Sequence, residues 1–200
     1  MTSSQPELAV LRADAATCTR CALFERATQT VFGEGDPSRL MLVGEQPGDV
    51  EDRAGRPFVG PAGLLLRELL SDAGIAIESA YVTNAVKHFK WRPAGKRRIH
   101  DKPNWTEITA CRHWLELELG AVRPELVVCL GATAAPSLLG KTARVGALRG
   151  RPHPLSPSTL ALVTLHPSAV LRAGQRRDER RAELAADLAL AAELLAEQAA

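Results

Sequence analysis

Four cysteines are the first residues in this chain whose type and spacing suggest chemistry. Cys18 and Cys21 form a C-x2-C pair, Cys111 lies in a segment of helical pattern, and Cys129 falls in a short apolar run. A C-x2-C pair lets two thiolates grip one metal centre from a single turn, and two further cysteines complete an all-cysteine site. Spacing admits either zinc or an iron–sulfur cluster, although the wide separation of the second pair does not suit a two-knuckle zinc ribbon. Cys129 also reads as an ordinary buried strand residue, since free cysteine is among the most buried residue types.

Three other segments carry unusual residues. Residues 44–60, GEQPGDVEDRAGRPFVG, hold four glycines and two prolines, which force a tight loop. Glu45, Asp49, Glu51 and Asp52 make it too acidic for a phosphate cradle. It suits a small neutral ring better, with Phe58 as a stacking surface, or else a solvated glycine-rich loop. Residues 87–102, KHFKWRPAGKRRIHDK, interleave basic residues with Phe89 and Trp91, a mixture that fits phosphates and exposed bases. A solvated charged loop has the same composition. His100 ends the KRRIH stretch within it. In LHPSAVLR, residues 165–172, His166 precedes a helical start at Pro167 and Ser168, whose amides could hold a phosphate beside Arg172.

These segments need elements to position them. Apolar, β-branched runs at 39–44, 81–86, 125–130 and 159–164 read as buried strands. Helical patterns lie at 61–73, between Pro61 and Gly74, at 105–119 after a capping Asn104, at 131–139, and at 177–198. This β-α alternation predicts an α/β fold of three layers, with helices on both faces of a central four-stranded parallel sheet. Ligands in such folds collect at the carboxyl ends of the strands, and each unusual segment directly follows a strand. Two hundred residues with 46% hydrophobic content suit one domain over 1–200. A net charge of only +2 means that any nucleic-acid surface must come from local clustering of Lys and Arg. The polar N-terminal stretch is no signal peptide and no apolar run reaches membrane-spanning length, so a cytoplasmic monomer is expected. In a reducing compartment the cysteines read as ligands rather than disulfides.

Taken together, from about residue 15 to residue 175, the segments resemble the family 4 uracil-DNA glycosylases. GEQPGDVEDRAGRPFVG resembles the family's first signature, HPSAVLR its second, and Asn84 in VTNAVK its uracil-reading asparagine. The resemblance implies the glycosylase fold, uracil-containing DNA as partner, with single strands accepted, and a [4Fe–4S] cluster on Cys18, Cys21, Cys111 and Cys129. There is one departure. Where hydrolytic members carry a Cys-Arg-Pro-Pro-like run, this chain has HFKWRP followed by KRRIH. That loop and Gln46 resemble the UdgX subgroup, whose members excise uracil and then become covalently joined to DNA through the loop histidine.

By that match His100 is the attaching residue. Chemistry on a base requires that it leave the stack, with Asn84, Gln46 and Phe58 receiving uracil. His166 would donate to the charge developing on the departing base, and His100 would attack the sugar C1′. Glu45 is expected to orient His100 or stabilise the sugar cation, with Asp49 and Asp52 as supporting acids. Lys96, Arg97, Arg98, Ser168 and Arg172 would hold backbone phosphates. Two rivals remain: a turnover glycosylase in which His100 merely touches DNA, and a non-catalytic iron–sulfur module that binds nucleic acid.

Overall fold

A computed structural model describes residues 7–197. The ends of the expected 1–200 domain and residue 198 of the last expected helix lie outside the described residues. In chain order the main elements are α1 (Leu8–Ala15), β1 (Leu40–Gly44), α2 (Asp49–Ala54), α3 (Pro61–Asp72), β2 (Ala80–Asn84), β3 (Trp91–Ala94) and β4 (Arg97–His100). There follow α4 (Trp105–Val122), β5 (Leu126–Leu130), α5 (Gly131–Leu139), α6 (Val145–Leu148), β6 (Pro152–Ser156), β7 (Thr159–Thr164), α7 (Pro167–Leu171) and α8 (Arg177–Glu197).

The four apolar runs form the expected parallel strands, in the order β2-β1-β5-β7. Each is apolar almost throughout because both of its faces are covered. Leu40 and Leu42 of β1, with Leu126, Val128 and Leu130 of β5, pack with Leu66, Leu69 and Leu70 of α3 and Leu184 and Leu188 of α8. Their neighbours along the strands, Met41, Val43, Val127 and Cys129, face the other way and pack with Leu115 and Val122 of α4 and Ala134 of α5. Each fully buried leucine contributes about 1.5–3 kcal/mol of burial free energy. A third apolar cluster joins α1 to the outer side of α4 through Leu11, Ala15, Ile108 and Trp114.

Helix ends follow their sequence signals. The Asn104 side chain accepts from the Glu107 N–H at 2.9 Å while Glu107 accepts from the Asn104 N–H at 2.7 Å, a reciprocal cap. Pro61 opens α3 after an extended Gly60.

Two differences from the expected architecture affect the site. The sheet has a fifth strand, β6, antiparallel to β7 at the edge. Pro152 and Pro154 hide it in the sequence, and an edge strand tolerates prolines because one side of its backbone needs no ladder partner. The basic segment is an antiparallel hairpin rather than a loop, pairing Trp91 with His100 and Ala94 with Arg97. Gly95, with φ of 61°, takes the first position of its two-residue turn, where right-handed strand twist demands a positive φ. Among the described residues no helix is long and apolar enough to cross a membrane.

Candidate active site

The strand register gathers the unusual residues at one end of the sheet. Gly44 at the end of β1 pairs with Asn84 at the end of β2, β5 leads into Gly131, and β7 leads into His166. The chain places β2 on one side of β1 and β5 on the other. That reversal opens a crevice beyond the strand ends. An open pocket of about 960 Å³ occupies it, lined among others by Glu45, Gln46, Phe58, Asn84, His100, His166 and Arg172.

Its floor depends on absent side chains. At Gly44 a Cβ would collide with the Asn84 amide oxygen and the Phe58 ring, so only glycine lets these two groups share the pocket. Phe58 has φ of 55°, a left-handed conformation that costs on the order of 1–2 kcal/mol for an L-residue. Its carbonyl is tucked against Gly63, where any Cβ would overlap it. Asn84 is 2% exposed and lines the pocket.

The two histidines stand in different states. The Ser168 backbone N–H donates to His166 Nδ1 at 3.1 Å, so that nitrogen carries a lone pair and Nε2 carries the proton. Burial, reinforced by Arg172 and His100, pushes the His166 pKa down to about 4 and keeps the ring neutral. His166 is thus a neutral Nε2–H donor. The Ser168 hydroxyl lies 2.8 Å from the same Nδ1, beside the backbone N–H that fixes the ring. His100 is half exposed at the end of β4, with Nε2 3.2 Å from Glu45 Oε1. Burial lowers its pKa below the ordinary 6.5, Arg172 adds to the lowering, and Glu45 and Asp101 oppose it. The ring centroids of His166 and Phe58 are 6.1 Å apart, with the rings 30° from parallel.

Glu45 has a second partner that was not foreseen. Thr133, buried in the first turn of α5, donates its hydroxyl to Glu45 Oε2, leaving Oε1 toward His100. The bond spans the crevice from β1 to β5. Thr133 follows a strand end, so the rule that singled out the other segments applied to it as well.

Three expected roles change. Asp52, fully buried, accepts from Arg98 at 2.7 Å and from Thr28 and does not line the pocket, whereas Asp49 lines it while pairing with Arg98 and Arg53. Arg98, held by both acids and lying over Phe89 and Trp91, anchors the hairpin and is not available to phosphate. The Gln46 side chain is also engaged. Its amide donates to the Lys90 and Asp101 carbonyls at 3.1 and 3.0 Å and accepts from the Lys90 N–H, which ties both ends of the hairpin to β1. Both amide hydrogens are thus spent on the hairpin, which leaves contact with a base to the second lone pair of Gln46 Oε1 or to its backbone. Lys96, Arg97 and Arg172 are exposed without ion pairs among the described residues, as a phosphate surface requires.

The sequence profile of the uracil DNA glycosylase superfamily matches residues 32–189. The chain belongs to this superfamily. It is similar to the type-4 uracil-DNA glycosylase of Thermotoga maritima, 41% identical over 157 residues that cover 78% of each chain. The type-4 enzyme of Pyrobaculum aerophilum is 37% identical over 170 residues, 81% of this chain and 83% of that one. A type-5 uracil-DNA glycosylase of Thermus thermophilus is 37% identical over a shorter span, 54% of this chain.

Within this superfamily member the four cysteines do not form one group. Cys18, Cys21 and Cys111 lie close enough that the first two help burial raise the Cys111 pKa, to about 12. Two of the sulfurs accept N–H bonds, Cys18 from the Trp114 indole and Cys111 from the Lys87 backbone, both at 3.1 Å. Donors of that kind favour thiolate ligands. Cys129 is different. It lies fully buried in the central strand β5, between Val43 and Val163, in the other apolar cluster. Burial alone raises its pKa, with no contribution from another cysteine. Cys18, Cys21 and Cys111 share the apolar cluster between the N-terminal segment and α4, and Cys129 is corrected to a core residue. Among the described residues no three His, Cys, Asp or Glu side chains converge as a site for a single metal ion.

Proposed function

We propose that this chain excises uracil from DNA and is then joined to the abasic sugar through His100. The observation that carries the reading is the His100 Nε2 to Glu45 Oε1 contact of 3.2 Å at the pocket, with neutral His166 on the same cavity. Superfamily membership and the similarity to type-4 uracil-DNA glycosylases support uracil as the base.

In this reading uracil leaves the stack and enters the pocket, where Phe58 stacks on it and the Asn84 amide meets its polar edge. The C1′–N1 bond breaks and its electron pair leaves with uracil. His166 stabilises that anion through its Nε2–H, a donor already in place before charge develops. Glu45 takes the proton from His100 Nε2, the lone pair so freed bonds to C1′, and the linked imidazole is neutral while Glu45 holds the proton. Lys96, Arg97 and Arg172 hold flanking phosphates. An iron–sulfur group on Cys18, Cys21 and Cys111 would cross-link the N-terminal segment to α4. None of these cysteines lines the pocket, so its contribution there is structural.

Incubation with uracil-containing single-stranded DNA, followed by a denaturing gel and a uracil count, tests the proposal. One retained band and one uracil per protein molecule are expected. Many uracils per molecule with no retained band would keep excision and remove capture. Binding without uracil release would favour a non-catalytic module.

A further inference from the structure

Lys87 is completely buried, and every hydrogen-bonding group it has is spoken for. Its ammonium donates to Thr83 Oγ1 at 2.7 Å, to the Asn84 carbonyl at 2.7 Å and to Glu118 Oε2 at 2.5 Å. Its backbone N–H donates to Cys111 Sγ, and its carbonyl accepts from Val31. Glu118, equally buried, receives on Oε1 the Gly33 N–H, the Tyr81 hydroxyl and the Thr83 hydroxyl. Gly33 must lack a side chain for this, since a Cβ would overlap Tyr81 and Glu118.

A buried ion pair is a poor way to gain stability, because desolvation offsets most of the attraction. Fixing geometry is what it does well. Here the pair clamps Thr83 and Asn84, the last two residues of β2, from behind the pocket, while Lys87 touches a cysteine sulfur with its own backbone. We propose that Lys87, held by Glu118, is a positioning residue for uracil excision: it fixes the peptide of Asn84 and ties it to the Cys111 centre. This rests on the reading of Asn84 as the uracil-recognising residue. The amide of Asn84 must meet a ring edge within a few tenths of an ångström, and its carbonyl is the atom that Lys87 grips.

The test compares Lys87→Met/Glu118→Gln with Asn84→Ala and wild type. The paired change removes both charges together, and glutamine keeps an acceptor for Gly33 and Tyr81. Excision is measured in single turnover at saturating uracil-containing single-stranded DNA, per folded molecule, alongside excision from cytosine-containing DNA. The expected result is a folded protein that excises uracil about tenfold to a hundredfold more slowly and discriminates less between the two bases, since small misplacements cost that much. A merely structural role would lower the folded fraction and leave both numbers unchanged per folded molecule, which would overturn the proposal. If the pair does not fold, Glu118→Gln alone carries the test, with a smaller slowing expected and a wild-type rate again overturning it. Wild-type excision by Asn84→Ala would instead overturn the reading of Asn84. A slow Asn84→Ala beside a wild-type paired variant would overturn the role of Lys87 alone.

Discussion

His100 Nε2 and Glu45 Oε1 are 3.2 Å apart, and the other carboxylate oxygen of Glu45 is occupied by Thr133. Thr133 thus fixes one oxygen of the carboxylate while the other meets the imidazole. Glutamine at position 45 could still accept from Nε2–H but could not take the proton. Glu45→Gln is expected to slow adduct formation on the order of a hundredfold, and to slow it more than uracil release. Equal slowing of both, measured by gel and by uracil count, would mean that Glu45 serves the cation rather than the histidine.

Thr133→Val keeps the shape of the side chain and removes the hydroxyl. The freed Glu45 oxygen would lose its fixed orientation, and a hydrogen bond of this kind contributes about 1 kcal/mol. Adduct formation should fall by about fivefold with little change in folded fraction. An unchanged rate would show that Glu45 is held by His100 alone.

The pH dependence follows from the two histidine shifts. Attack needs neutral His100, and burial moves its pKa below 6.5. Adduct formation should therefore fall to half only below pH 6.5. His166 contributes to the pH dependence of stability. Its folded pKa, about 4, lies below its ordinary 6.5, so the unfolded chain binds the proton more readily. The stabilisation is fully present above about pH 6.5 and is lost as pH falls toward about 4, amounting to as much as about 3 kcal/mol. Urea midpoints between pH 7 and pH 4 check this, and His166→Asn should flatten the slope. An adduct rate that already halves at pH 6.5 would contradict the direction given for His100.

Arg98 and Cys129 show where sequence reading stops. The strands, the helix starts and the strand-end placement of the site were legible, because burial on both faces and capping leave periodic signals. So was the His100–Glu45 pairing, though only through resemblance, as the two are distant in sequence. Arg98 sits between Arg97 and His100 in a basic run, and nothing local says that two acids from another segment will consume its charge. The tie from Gln46 to the hairpin was hidden for the same reason: which carbonyls its amide meets depends on a hairpin whose register is set by a two-residue turn. Cys129 followed a count of four. Its placement in a central strand, the reading its apolar neighbours already allowed, decides against it.

The phosphate surface and the strut can be separated by salt. Lys96→Ala/Arg97→Ala should weaken DNA binding and make the fall of affinity with salt shallower, since each lost phosphate contact reduces the slope by about one. Arg98→Ala should leave the slope unchanged. It should instead slow adduct formation, because Asp49 and the buried Asp52 lose the cation that ties them to β4. A shallower slope for Arg98→Ala would return that residue to the DNA surface.

Cysteine replacements give the sharpest division. If Cys18, Cys21 and Cys111 hold an iron–sulfur group, Cys111→Ser should lower iron content and folded yield together, since ligand loss removes binding energy that supports the fold. Cys129→Val should not. Valine fills similar space in a fully buried strand position whose neighbours are Val43 and Val163, and β-branched residues suit that setting. The thiol there has no polar partner among the described residues, and burial already holds it protonated, with a pKa of about 12. Iron per chain, the charge-transfer absorbance and uracil excision should all match wild type in Cys129→Val. Loss of iron in that variant would restore Cys129 as a ligand and would require the central strand to open toward the N-terminal cysteines. Zinc in place of iron in the wild-type protein would keep the division between the cysteines and remove the cluster.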